Sequence, residues 1–215
     1  MRKCTSLLNA AYKDRAGGIL FTAGPLSTSR TVREAMLEDY GSRDEYFVKC
    51  VKDVRQGLLA IGNVPEKEWA AIPMQGSGTM GVEAVVSSLS PPENAKALVI
   101  CNGAYGLRIA AINKKLGIQT DTFVSEEHAG IDLAKLEADL VAADTSHNTI
   151  AIVHCETTTG IFNPIVEVNA LVRKHCPKAT LILDAMSSFG GVELDTAAVC
   201  DVMVSSANKC IQGVP

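Results

Sequence analysis

Two side chains of opposite charge follow apolar runs in which neither charge is expected. Leu181-Ile182-Leu183 runs into Asp184, and Val202-Met203-Val204 runs through Ser205-Ser206-Ala207-Asn208 to Lys209. A carboxylate delivered by a buried strand is costly unless it meets a cation. Asp184 is therefore half of a buried ion pair or part of a site, and the residue alone leaves both open. Lysine normally sits in water. A lysine set among small residues after a buried strand is desolvated, which favours the neutral amine, a nucleophile for carbonyls. Two further segments end apolar runs. Gln75-Gly76-Ser77-Gly78-Thr79 precedes a helical pattern. Small residues there let backbone N–H groups approach a phosphate, and the helix dipole favours the anion, although an ordinary strand–helix turn uses the same residues. His154-Cys155-Glu156-Thr157-Thr158-Thr159-Gly160 supplies hydroxyls and little packing. Gly76, Gly78 and Gly81 also spell G-x-G-x-x-G. A dinucleotide fold needs an acid near the end of the following strand. Cys101-Asn102-Gly103 offers none, which makes a nicotinamide enzyme the weaker reading.

Short apolar runs alternate with helical ones across most of the chain. Strands are expected at Ala71–Met74, Ala97–Cys101, Asp121–Val124, Thr149–Cys155, Thr180–Leu183 and Asp201–Ser205. Helical spacing covers Tyr46–Ile61, Val82–Leu89, Tyr105–Leu116, Leu133–Ala142 and Val166–His175, with a shorter helix after a cap at Ser29 or Thr31. Ile150-Ala151-Ile152-Val153 does not alternate, as expected of a strand buried on both faces. Such alternation predicts an α/β fold, a mostly parallel sheet covered by helices in three layers. Ligands of these sheets bind at the carboxyl ends of the strands, where Thr79, Thr157, Asp184 and Lys209 fall.

The 215 residues are 47% hydrophobic and 20% charged, with a formal charge of −4. That balance suits a buried core and gives no reason to expect nucleic acid or an anionic membrane as partner. No apolar run has the length of a membrane span. Basic residues near the start, such as Arg2 and Lys3, have no apolar core behind them, so residues 1–18 read as a flexible N-terminal segment. The seven cysteines are odd in number and form no C-x-x-C pair. They fit a reducing compartment, the cytoplasm or, from the weak basic pattern, mitochondria, and they support no metal site.

Together these segments meet the needs of one cofactor. Pyridoxal 5'-phosphate (PLP) takes a lysine for its Schiff base, a carboxylate beside its pyridine nitrogen and a cradle for its phosphate. Asp184 and Lys209 at the tips of adjacent parallel strands would reach one edge of the sheet.

On these residues the chain resembles the class V, fold-type I PLP-dependent aminotransferases. The matching segments are Leu20–Ser29, Asp39–Asp44, Met74–Thr79, Asn102–Gly106, His154–Gly160, Asp184–Ser188 and Ser205–Gly213. The resemblance implies that Lys209 carries the cofactor and moves the proton at the substrate carbon, and that Asp184 pairs with the ring nitrogen. Ser77, Gly78 and Thr79 would hold the phosphate, Thr157 the phenolic oxygen, and Tyr105 would stack on the ring. Ser188 would lie near the cofactor or simply pack. The wording of Cys155–Gly160 and Ser205–Gly213 points within the family to transfer of an amino group from 2-aminoethylphosphonate to pyruvate, giving phosphonoacetaldehyde and L-alanine. Alanine–glyoxylate or serine–glyoxylate transamination, or a non-catalytic truncated form, are the alternatives. Small-molecule amino donors and 2-oxo acids would be the partners, in a homodimer. Two departures stand out: Ala23 replaces a usual proline, and the chain ends at Pro215. The family pattern makes residues 19–215 an incomplete cofactor-binding large domain, without its last strand, the C-terminal small domain and its substrate-binding arginine. Arg43 and Arg108 read as surface or interface residues.

Overall fold

The computed structural model describes residues 19–20, 22, 24–90, 95–143 and 146–214. Expectations for residues 1–18, Ala23 and Pro215 lie outside them. The described residues form an α/β fold around one five-stranded parallel sheet, in the order β2-β1-β3-β6-β7. The strands are β1 Lys96–Cys101, β2 Gln119–Val124, β3 Thr149–Val153, β6 Thr180–Asp184 and β7 Val202–Val204. β4 Cys155–Glu156 and β5 Ile161–Phe162 form a small antiparallel ladder beyond the end of β3. The helices are α1 Arg30–Glu34, α2 Glu45–Ile61, α3 Gly78–Leu89, α4 Ala104–Lys115, α5 Leu133–Ala142, α6 Ile165–His175 and α7 Thr196–Val199. Ser29 caps α1, accepting from the Val32 amide.

Neighbouring positions on the central strands feed opposite faces of the sheet. Leu98, Ile100, Ile150, Ile152, Leu181 and Leu183 pack with Leu136 and Leu140 of α5 and Val168 and Val172 of α6. Val99, Ala151, Val153 and Ile182 pack on the other face with Val82 and Val86 of α3 and Ile109 and Ile112 of α4. This two-sided burial explains why the strand sequences read as unbroken apolar runs. It also leaves the strand tips as the place for polar chemistry.

Three expectations about elements are corrected. Ala71–Met74 forms no strand. Among the described residues β7 ends the sheet on its side and no strand pairs with this segment, and Ile72 is 77% exposed. The run Thr149–Cys155 breaks at His154, where the chain leaves the parallel ladder for β4. Lys209 does not close β7 itself but lies beyond it, in a turn that begins at Ala207. That turn is pinned on three sides. Leu26 N–H donates to Asn208 O at 3.2 Å, Cys210 Sγ donates to Ser187 O at 3.4 Å, and Gly213 N–H donates to Ala207 O at 2.5 Å.

Candidate active site

β6 and β7 run in register, with Asp184 beside Val204. Their exits stay together because Ala185 N–H donates to Val204 O and Ser205 Oγ to Ala185 O. Asp184 is only 4% exposed. Its Oδ1 accepts from Met186 N–H at 3.0 Å, and Oδ2 accepts nothing from the described residues. Burial pushes the Asp184 carboxyl above the usual carboxylate range, with the Glu156 charge adding to the push. The Met186 N–H and the Lys209 and Arg108 charges pull the other way without cancelling it. A carboxylate in that condition gains from any cation placed against it.

Asp184 and Lys209 line a single cavity of about 170 Å³ with Gly78, Thr79, Tyr105 and Met186. The α3 N-terminus comes in closely: a Cβ at Gly78 would stand 2.4 Å from Met186 Sδ, so a larger residue there would displace the Met186 side chain. Ser77 caps α3 by accepting from Met80 N–H. The amides of Gly78 and Thr79 precede the first intrahelical donor and have no partner among the described residues. Lys209 Nζ lies 5.7 Å from the Tyr105 ring centroid, and the Arg108 guanidinium 4.6 Å from the same centroid.

The structure therefore places Gly78, Thr79, Tyr105, Asp184 and Lys209 around one cavity. Ser77 and Thr157 are not part of the cavity wall; Ser77 faces its own helix, and Thr157 is half-buried in the turn after Glu156. Ser188 is 1% exposed, outside the wall, with no partner for Oγ among the described residues. Arg108 is exposed yet belongs to the wall, a position not anticipated for it. The available signal was its spacing from Tyr105, since residues three apart share a helix face. Ser206 and Asn208 also line the cavity, as their proximity to Lys209 in sequence would have suggested.

A family model described as aminotransferase class-V matches residues 35–214. A 2-aminoethylphosphonate–pyruvate transaminase of Bacillus mycoides is 46% identical over 198 residues, 92% of this chain and 53% of that protein. The protein of that name from Vibrio cholerae is 47% identical over 199 residues, with the same shares covered. The chain thus spans about half the length of the curated relatives it matches. Among solved structures, pyridoxamine–pyruvate aminotransferase from Mesorhizobium loti superposes with a TM-score of 0.81 at 26% identity, over 92% of this chain and 49% of that one. An alanine–glyoxylate aminotransferase from Nostoc sp. gives 0.83 at 24% identity, over 94% and 52%, a likeness of fold.

Proposed function

The chain belongs to the aminotransferase class-V family, and from that premise we propose that it binds PLP and serves the transfer of an amino group from 2-aminoethylphosphonate to pyruvate. The products are phosphonoacetaldehyde and L-alanine. One observation carries the reading: a buried carboxyl without a salt bridge among the described residues, an amine and the start of a helix with two unpartnered amides line one small cavity. Those are the complements of a protonated ring nitrogen, an aldehyde and a phosphate, so the residues fit the cofactor. The substrate assignment is supported by the relatives' names and by the identity to them.

Bound PLP supplies a carbonyl that condenses with amines and a ring that accepts the electron pair of the adjacent carbon. The chain's residues supply the rest. The Lys209 amine, which lines the cavity, would hold the cofactor and would be the group placed to move a proton at the substrate carbon. Asp184, whose Oδ2 is unpartnered among the described residues, would be the group to hold a protonated ring nitrogen, and its burial would strengthen that pairing. Gly78 and Thr79 N–H groups, with Ser77 shaping the α3 start, hold the phosphate. Tyr105 would offer the stacking face, whereas Thr157 stands outside the cavity wall and is given no contact with the cofactor.

Residues 19–215 form the cofactor-binding large domain in this reading. The partners are a small amino donor and a 2-oxo acid, and the assembly is a homodimer. The α2 face supports the dimer: Tyr46, Val48, Val51 and Val54 are exposed although apolar. No helix among the described residues is long and apolar enough to cross a membrane. The described cysteines are all free, which agrees with a reducing compartment such as the cytoplasm; recovery of the native chain with disulfides formed would contradict it.

Adding PLP to the purified chain should produce a visible absorbance band. Borohydride reduction and mass spectrometry should then find the cofactor on Lys209, and Lys209→Ala should abolish both. Survival of the band in that variant overturns the lysine assignment. Alanine formation from 2-aminoethylphosphonate and pyruvate, assayed in a preparation containing the chain against glyoxylate with alanine or serine, decides the substrate.

A further inference from the structure

Glu156 is 0% exposed, and the functional reading gives it no task. Its Oε2 accepts from the amides of Tyr105 and Gly106 at 3.1 and 3.3 Å. Its Oε1 accepts from Thr158 Oγ1 at 2.9 Å and Thr158 N–H at 3.4 Å. Four donors and no acceptor face its two oxygens, the pattern a carboxylate satisfies. Tyr105 and Gly106 are in the first turn of α4, where amides lack intrahelical partners. The N-cap residue, Gly103, has no side chain with which to cap them.

That glycine is explained by the same contact. A Cβ at Gly103 would stand 2.2 Å from Glu156 Cγ, while the Gly103 φ of 176° is extended and open to any residue. Space, not conformation, requires glycine. The backbone of Glu156 is engaged as well: its carbonyl accepts from Thr159 N–H at 3.2 Å and Gly160 N–H at 2.7 Å, closing the turn that contains Thr157.

We propose that Glu156 is a positioning residue of the cavity, capping α4 from another strand end and fixing the Tyr105 ring and the 157–160 turn relative to each other. Its bearing on the cofactor rests on the function proposed above, whereas the clamp itself can be read without ligand. The carboxylate touches neither the cavity nor a reacting group. It acts through Tyr105, which faces Lys209, and through the turn holding Thr157. The arrangement accounts for two sequence features at once, the glycine in Asn102-Gly103-Ala104-Tyr105 and the acid before the three threonines.

The test compares Glu156→Gln, which keeps a carbonyl acceptor for α4 and an NH2 from which a rotated Thr158 hydroxyl can accept, losing only the long Thr158 N–H bond, with Glu156→Met, of similar size but without an acceptor. Hydrogen exchange is followed by mass spectrometry in the ligand-free chain. In the Met variant, amides of 104–107 and 157–160 should lose protection together by about tenfold, while those of β3 and β6 stay protected. PLP affinity should fall by about tenfold in Met and be largely retained in Gln. Should the Met variant not fold, Gly103→Ala, which expels the carboxylate without altering it, should give the same paired exchange. Equal behaviour of Met and Gln, or increased exchange in only one segment, overturns the clamp. If the wild-type chain binds no PLP, the functional reading fails, and the exchange data still decide the clamp.

Discussion

Burial sets the chemistry of Asp184. With its carboxyl raised above the usual range, the folded chain holds a proton there more tightly than the unfolded chain does. The stability that follows from this is fully present below the ordinary carboxylate value, about pH 4, and is lost as pH rises through the raised value. Urea midpoints of the ligand-free chain should therefore fall over that window, and Asp184→Asn should remove this part of the fall. Asparagine keeps the acceptor for Met186 N–H without the buried charge. At pH 8 the variant should be more stable by roughly 0.5–2 kcal/mol and should lose tight PLP binding. Lower stability together with unimpaired binding would contradict the assignment. Asp184 and Lys209 were legible in the sequence because each breaks an apolar context, where a charge is expensive. Arg108 and Glu156 were not: one sits on an exposed helix face and the other among threonines, contexts in which charge is ordinary.

Elements bring these residues together through joints of buried polar groups. Asn102, after β1, and Asn163, after β5, exchange side-chain hydrogen bonds of 2.7 and 3.0 Å, and Asn163 Nδ2 also donates to Val153 O at 2.8 Å. Both are nearly fully buried, so neither can replace these bonds with water. Asn163→Ala should cost roughly 2–3 kcal/mol in chemical unfolding, since it leaves Asn102 and a buried carbonyl unpaired. A cost near zero would show that the joint is dispensable. Element type followed from periodicity for α4, α5, α6 and the three central strands. It failed for Ala71–Met74, because a strand exists only as part of a ladder, and the pattern of four residues carries no information about whether a neighbour is present.

At the scale of the molecule, exposed apolar surface is uneven. The sheet is covered on both faces, yet α2 buries Leu59 while leaving Tyr46, Val48, Val51 and Val54 exposed. If this face joins two copies, Val51→Glu should shift the sedimentation of a dimeric preparation toward monomer while far-ultraviolet circular dichroism is unchanged. A monomer in the unsubstituted protein, or an unaltered dimer in the variant, would exclude that face. The sequence by itself determined the α/β alternation and the two charged residues at strand exits, Asp184 and Lys209, on which the proposed function rests. It could do so because helix and strand periods, and the cost of burying charge, are local properties of the chain. Only the tertiary structure decided that the β1 exit is clamped by the β3 exit, that Arg108 borders the cavity, and that Ser77 and Thr157 stand outside its wall. Those relations depend on the strand order β2-β1-β3-β6-β7 and on ångström-scale approach between segments distant in sequence, for which no local pattern of residues is a record.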